Sequence, residues 1–314
     1  SLSSETRLNP FDLPKVLDAE DADNALRANI ITLHGLLRLM MGGATVQAAQ
    51  AGGTQMATTS SGLTPAEDAD LDVAIINTYA AHGITNDPLT HGAVPPTMND
   101  LYNTLTQMSG NGPALAQRLR KYTTGTFSGI FSQQSNVDIN NPFVVFNIRD
   151  LEDELRPVAM YIVLNYIWNK VKGDKKKRIL IVDEAWQLMK YDDSANFMFS
   201  IAKRARKYHL GLTTISQDVE DFLSSRLGRA VVSNSSLQLL LKQAPSAVDI
   251  IAQTFKLTDE EKKRLTQFPV GEGLFFAGLN HIIIRILASE TEHQLITTNP
   301  NEVAAAAAQA NGGA

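Results

Sequence analysis

From Pro14 to about Gln134 the apolar positions recur at helical spacing, with Ile30, Leu33, Leu37 and Met40 on one face of a first predicted helix. Thr64-Pro65-Ala66-Glu67 has the form of a capping box with proline at the first helical position, so a second helix is expected to start there. A third is predicted after Thr97-Met98-Asn99-Asp100 and a fourth over Pro113 to Tyr122. Ahead of this block, Ser1 to Leu13 is a short polar lead closing in Asn9-Pro10-Phe11-Asp12. Pro10 holds Asn9 extended, and the segment reads as a strand exit. Gly42 to Gly62 is rich in Gly, Ala, Ser, Thr and Gln with few apolar residues to pack, which predicts a mobile loop.

The pattern changes after Asn140. Pro142-Phe143-Val144-Val145-Phe146-Asn147-Ile148 is a short apolar run that predicts a strand buried on both faces, and Leu155 to Val171 predicts a strongly apolar helix. Ile179 to Val182 predicts the next strand, Ser194 to Tyr208 a polar helix, Gly211 to Gln217 another strand and Ser236 to Leu241 a further one. Strands alternating with helices imply parallel βαβ units with right-handed crossovers. Gly273 to Ala277 and Ile282 to Leu287 flank Gly278-Leu279-Asn280 and predict an antiparallel hairpin, while Asn301 to Ala314 reads as a frayed, Ala-rich tail.

Composition narrows the function classes only modestly. With 314 residues, 44% hydrophobic and 19% charged, the chain can bury a real core and is neither fibrous nor wholly disordered. A net charge of -5 gives no general preference for nucleic acid or anionic lipid. Cysteine is absent, so disulfides and thiolate metal sites are excluded and a reducing, cytoplasmic setting is the expectation. No uncharged apolar run reaches the ~18 residues of a membrane span, so any membrane association is expected to come through partners or through sequence outside this chain.

The chemistry concentrates at Arg178-Ile-Leu-Ile-Val-Asp183-Glu184-Ala185-Trp186, an apolar strand that ends in two adjacent carboxylates. In a nucleotide-hydrolysing α/β sheet, ligands sit at the carboxyl ends of the strands. There Asp183 can hold Mg²⁺ through water, and Glu184 can orient and deprotonate the attacking water. The bland reading is a strand meeting solvent with two charges. Gln217, at the end of the following strand, has an amide that can contact a terminal phosphate or cap the next helix. Lys203, Arg204, Arg206 and Lys207 lie between the two strands; a guanidinium reaching across a subunit boundary would act as an arginine finger. A solvated helix end complementing the macrodipole explains any one of the four equally simply. Lys175 to Arg178 reads as a solubilising run before a greasy strand, with DNA contact as the lesser alternative. Trp168 and Trp186 read as packing residues near the site. The phosphate-cradling loop G-x-x-x-x-G-K-[ST] is absent: neither Gly42-Gly43, Gly52-Gly53 nor Gly110-Asn111-Gly112 is followed by Lys-Ser or Lys-Thr.

Taken in order, Asn9 to Asp12, Leu119 with Tyr122-Thr-Thr-Gly125 and Phe131, Phe146-Asn-Ile148, Ile181 to Trp186, Ala205 to Tyr208 with Gly211-Leu212, Ser216 to Val219, and Ser233 to Gln243 resemble one family. It is the energising ATPases of type IV secretion and conjugation, the VirB-four family of RecA-type P-loop motors, in their C-terminal motor domain. The resemblance implies an α/β fold, a RecA-type, mostly parallel sheet flanked by helices with an inserted all-helical subdomain. The corresponding division is a lead segment at 1–13, a helical insertion at 14–134, an ATPase core with Walker B at 135–300 and a tail at 301–314. It also implies ATP and Mg²⁺ as cofactors, Asp183 for the metal, Glu184 as base and Gln217 as phosphate sensor. Arg206 is implied as a better-aligned finger than Arg204, with Asn234 and Lys242 near the nucleotide or a subunit boundary. Such motors work as homo-oligomers, a hexamer among the options, at the inner face of the cytoplasmic membrane beside secretion-channel components.

The expected function is therefore a fragment of an ATP-driven motor for secretion, pilus assembly or conjugative transfer, inactive alone for want of Walker A. Two alternatives stand beside it: a DNA translocase of the FtsK or HerA-like kind, separable by salt-sensitive stimulation with DNA, and a non-catalytic scaffold built on a degenerate ATPase fold.

Overall fold

The computed structural model describes residues 7–14, 24–42, 62–125, 127–137, 141–148, 151–174, 176–217, 219–278 and 280–304. The mobile loop expected over 42–62 and the tail expected over 301–314 lie mostly outside these residues, and 301–304 are helical. The chain forms two compact units, Ser1–Asn234 and Ser235–Ala314. It is a mixed α/β structure, mostly helical, with two small sheets.

In the first unit, helices α1 (Ala25–Met40), α2 (Pro65–Ala81), α3 (Met98–Gln107), α4 (Gly112–Thr123) and the single turn α5 (Ser128–Phe131) precede α6 (Arg156–Asp174). The apolar stripe read from the sequence is a packed one, with Leu33, Leu37 and Met40 of α1 buried and Ile30 partly so; Leu71 and Ile75 of α2, Leu101 and Leu105 of α3, and Leu115 and Leu119 of α4 are buried too. The α2 start is the capping box that the sequence predicts. Thr64 Oγ1 accepts the Glu67 N–H at 3.3 Å, while the Glu67 carboxylate accepts the Thr64 N–H at 2.8 Å. Helix α6 has 13 of its 19 residues buried, and a helix apolar on all sides belongs at the centre of a core. It packs against α1 and against α8 (Asp192–Arg204), so the helical block and the motor-like segment share one continuous hydrophobic core.

The described part of the lead segment closes a turn: Asp12 N–H donates to Asn9 O at 3.2 Å, and Asn9 Oδ1 accepts the Phe11 N–H at 3.1 Å. Buried Asn9 donates from Nδ2 to Pro96 O at 2.8 Å, and its backbone N–H donates to Ser135 Oγ at 2.7 Å, which tethers the turn to the connection between α2 and α3 and to the segment after the helical block.

The parallel pair is β1 (Arg178–Val182) with β2 (Leu210–Thr214), in register Arg178 to Leu210 through Val182 to Thr214. Between them run the single turn α7 (Trp186–Met189), α8 and a 3₁₀ turn at Ala205–Tyr208. The strand predicted over 142–148 does not form. Its backbone is irregular, with Phe143 79% and Val145 67% exposed, because among the described residues no neighbouring strand supplies the ladder that a lone extended run needs. Phe146 and Ile148 pack on the core instead. Helices α9 (Val219–Ser224) and α10 (Arg226–Asn234) complete the unit.

The second unit holds an antiparallel sheet of β3 (Leu237–Leu241), β4 (Glu272–Ala277) and β5 (Asn280–Arg285), with the predicted hairpin formed by the last two. The expectation of parallel pairing thus holds for β1 with β2 and fails for β3. Two helices, α11 (Val248–Phe255) and α12 (Asp259–Gln267), lie between β3 and β4 in place of the single crossover helix of a βαβ unit, and β4 pairs antiparallel to β3. Helix α13 (Glu290–Ile296) follows. Among the described residues no helix is long and apolar enough to cross a membrane.

Candidate functional site

Strand β1 ends at buried Val182, and the next two residues are the exposed Asp183 and the half-buried Glu184. The ladder continues one step beyond the strands: Ile215 N–H donates to Val182 O at 2.9 Å and Ala185 N–H donates to Ile215 O at 2.9 Å. Those two bonds carry the acids alongside Ser216 and Gln217 at the carboxyl end of the parallel pair, where open α/β sheets place ligands. Glu184 itself has φ 51°, in the left-handed region that a branched or long side chain adopts only when its surroundings over-determine it. The Asp183 Oδ1 cap on the Glu184 N–H at 2.9 Å and the Gln187 N–H on Glu184 O at 3.0 Å, with the Ala185 bond, supply that constraint.

Both oxygens of the Glu184 carboxylate are engaged. Gln217 Nε2 donates to Oε1 at 2.5 Å, and the Trp186 indole Nε1 donates to Oε2 at 2.5 Å. Lys190 stands over the other part of this cluster, its Nζ 4.3 Å from the Trp186 ring centroid. The structure therefore brings together Asp183, Glu184 and Gln217, drawn from two strand ends 33 residues apart in sequence.

The candidate arginines lie elsewhere. Arg204 ends α8 and Arg206 sits in the 3₁₀ turn that enters β2, so both are at the amino end of the parallel pair. Five residues of strand at roughly 3.3 Å each set this end ~16 Å from the acids. Arg204 is tied to its own helix, donating from Nε to Ser200 O at 3.2 Å and from Nη2 to Ser200 Oγ at 2.5 Å, with its guanidinium 5.4 Å from the Trp168 ring. Arg206 is exposed. His209 borders the strand: it turns the chain with φ 54°, and its carbonyl accepts the Arg178 N–H at 3.1 Å. Asn234 closes α10 with its Nδ2 on Ala230 O at 2.7 Å, and Lys242 is an exposed residue just past β3 in the second unit.

Two contributors were not legible in the sequence, the indole donor of Trp186 and the cation of Lys190. A Glu–x–Trp spacing carries no helix-face signal, and only the left-handed turn at Glu184 brings the ring back to the carboxylate. Among the described residues no group of three or more His, Cys, Asp or Glu is placed to hold a metal. The exposed Asp183 carboxylate suits Mg²⁺, which keeps most of its waters and draws its other ligands from substrate phosphates, whereas both Glu184 oxygens are taken by Gln217 and Trp186.

Against known proteins, the TraG P-loop domain matches residues 114–270. The type IV secretion system protein virB4 of Bartonella quintana is 24% identical over 152 residues, 47% of this chain and 19% of that protein. Protein TraC of Escherichia coli K12 is 29% identical over 137 residues, 40% of this chain and 16% of that protein. The matched stretch thus spans under a fifth of either relative. The structure of VirB4 of Thermoanaerobacter pseudethanolicus superposes with a TM-score of 0.78 at 28% identity, covering 93% of this chain and 76% of that one.

Proposed function

Because the chain belongs to the TraG P-loop domain family and is homologous to the VirB4 and TraC proteins of type IV secretion, we propose that it forms part of an ATP-hydrolysing motor that energises secretion, pilus assembly or conjugative transfer. On this reading β1 and β2 belong to a RecA-type sheet and 14–134 is its helical insertion. The observation that carries the proposal is the hydrogen bond from Gln217 to Glu184 across the carboxyl ends of two parallel strands.

In this reading Glu184 accepts a proton from the attacking water, and Gln217, whose amide carries two donors, bridges that carboxylate to a terminal phosphate oxygen with its second N–H. Asp183 presents an exposed carboxylate to Mg²⁺, which when bound neutralises charge on the transferred phosphoryl group. Arg206 acts on the site of a neighbouring copy, since within one chain it stands at the opposite end of the strands. The amides and lysine of a P-loop are not among these residues, so hydrolysis requires a phosphate-binding loop supplied outside them. The same reading has it assemble into a homo-oligomer beside secretion-channel components at the inner membrane face.

In the ATP-hydrolysing protein that contains this chain, Glu184→Gln is expected to leave ATP binding intact and to lower turnover by ~10²-fold or more, the scale of general-base loss. Turnover equal to the parent would remove Glu184 from the chemistry.

A further inference from the structure

Glu184 is the one residue of the candidate site whose side chain is held at both ends of its carboxylate, and the second holder is a residue that packing alone would explain. Trp186 is half-buried against the core, so a spacer role is the simplest account of it. The geometry says more. An indole N–H can only donate, and here it donates to Glu184 Oε2 at 2.5 Å while Gln217 takes Oε1. The ring is fixed from its own side, with the Lys190 ammonium 4.3 Å from its centroid, one helical turn along the chain. Glu184 in turn sits on a left-handed backbone, the conformation that lets a side chain two residues downstream reach back to it.

We propose that Trp186 is a positioning residue for Glu184, its indole N–H fixing Oε2 so that Oε1, shared with Gln217, is the oxygen presented to the reacting water. This rests on Glu184 being the base. Three consequences separate it from packing. A donor-only partner favours the carboxylate as an acceptor, so the contact is charge-assisted and stronger than a neutral one. The two oxygens have different partners, so losing Gln217 leaves the indole contact standing. Trp186→Phe removes the donor together with part of the ring bulk, and comparison with a Glu184→Gln background separates the two.

The chain contains two tryptophans, Trp168 and Trp186, so its ¹H–¹⁵N spectrum has two indole resonances, and Trp168→Phe assigns them. The Trp186 indole proton is expected far downfield. Glu184→Gly, which suits the left-handed backbone, should move it upfield, while Gln217→Ala leaves it in place. The Trp168 resonance, set by Tyr208 at 5.1 Å and Arg204, stays unchanged in the Glu184 and Gln217 variants and reports that the fold is intact. A Trp186 resonance indifferent to Glu184→Gly overturns the proposal. In the ATP-hydrolysing protein, Trp186→Phe should lower kcat about tenfold at unchanged KM for ATP, and should cost nothing further in a Glu184→Gln background. An equal loss in both backgrounds marks Trp186 as packing and overturns the positioning role. Were Glu184→Gln itself to leave turnover untouched, the base assignment would fall while the indole resonance still reported the contact.

Discussion

Tyr79→Phe tests the join between the lead turn and the helical core. Tyr79 is buried, and its hydroxyl donates to Phe11 O at 2.9 Å while accepting from Asn29 Nδ2 at 2.8 Å. Asn29 Oδ1 in turn accepts from Asn169 Nδ2 at 3.3 Å, and that same amide donates to Asp12 O at 3.0 Å. Removing one oxygen therefore strands a carbonyl and an amide donor that water does not reach, and each stranded buried group costs about 1–3 kcal/mol. Partial relaxation brings the expected sum to about 2–4 kcal/mol. The ring, 5.4 Å from that of Phe11, is retained, so no packing loss is added. Both tryptophans belong to the first unit, and their emission in a urea titration follows that unit alone. With an m-value of about 3 kcal/mol per molar, the midpoint should fall by about 1 M. A shift below about 0.2 M would refute the claim that this hydroxyl anchors the turn. In a double-mutant cycle, adding Asn29→Leu should cost less than it does alone, since its partner is already gone.

Gly228→Ala should destabilise the first unit by about 1–3 kcal/mol, the cost of overpacking, because a Cβ there would lie 1.9 Å from Phe222 O; a urea midpoint equal to the parent would contradict it. Burial pushes the Asp193 carboxyl above its ordinary 3.8, opposed by Arg38 and His34 and reinforced by Asp192 and Asp68. An acid raised on folding is stabilised below its unfolded value and loses that contribution as pH climbs from 3.8 to the folded one. The midpoint of Asp193→Asn minus that of the parent should therefore rise over this window and then level; a flat difference would refute it. In mixed assemblies, Arg206→Ala combined with Glu184→Gln should regain ATP turnover that neither shows alone, while Arg204→Ala, held by Ser200, should differ little from the parent. Failure of the Arg206 mixture to recover would remove the trans role.

Much of the helical half was readable because its signals are local. The stripe at Leu33, Leu37 and Met40 and the Thr64–Glu67 box need only spacing to be recognised, and strands β1 and β2 announce themselves as short apolar runs bounded by charge or glycine. What failed depends on partners far along the chain. Phe143 to Val145 has the composition of a strand, but a strand exists only with a neighbour to pair with. The direction in which β3 pairs is likewise decided by its partner β4, more than 30 residues on, and not by its own residues. At the site, Asp183, Glu184 and Gln217 were legible as strand-end residues, and the ladder step through Ile215 is what makes them neighbours. The left-handed turn at Glu184 left no mark, because glutamate is an unusual residue for that conformation and no local rule predicts it there.

Strand β1 turns Ile179 and Ile181 outward, 76% and 61% exposed, and among the described residues it pairs with β2 alone. Such a strand is a template in free solution: among the described residues no second strand covers its other side, and its bare isoleucines reward the stacking of one ladder on the next. Lys176 and Arg178, at its start, are paired with Asp174 and leave little charge to hold copies apart. Purified on its own, the chain should therefore self-associate more readily as its concentration rises.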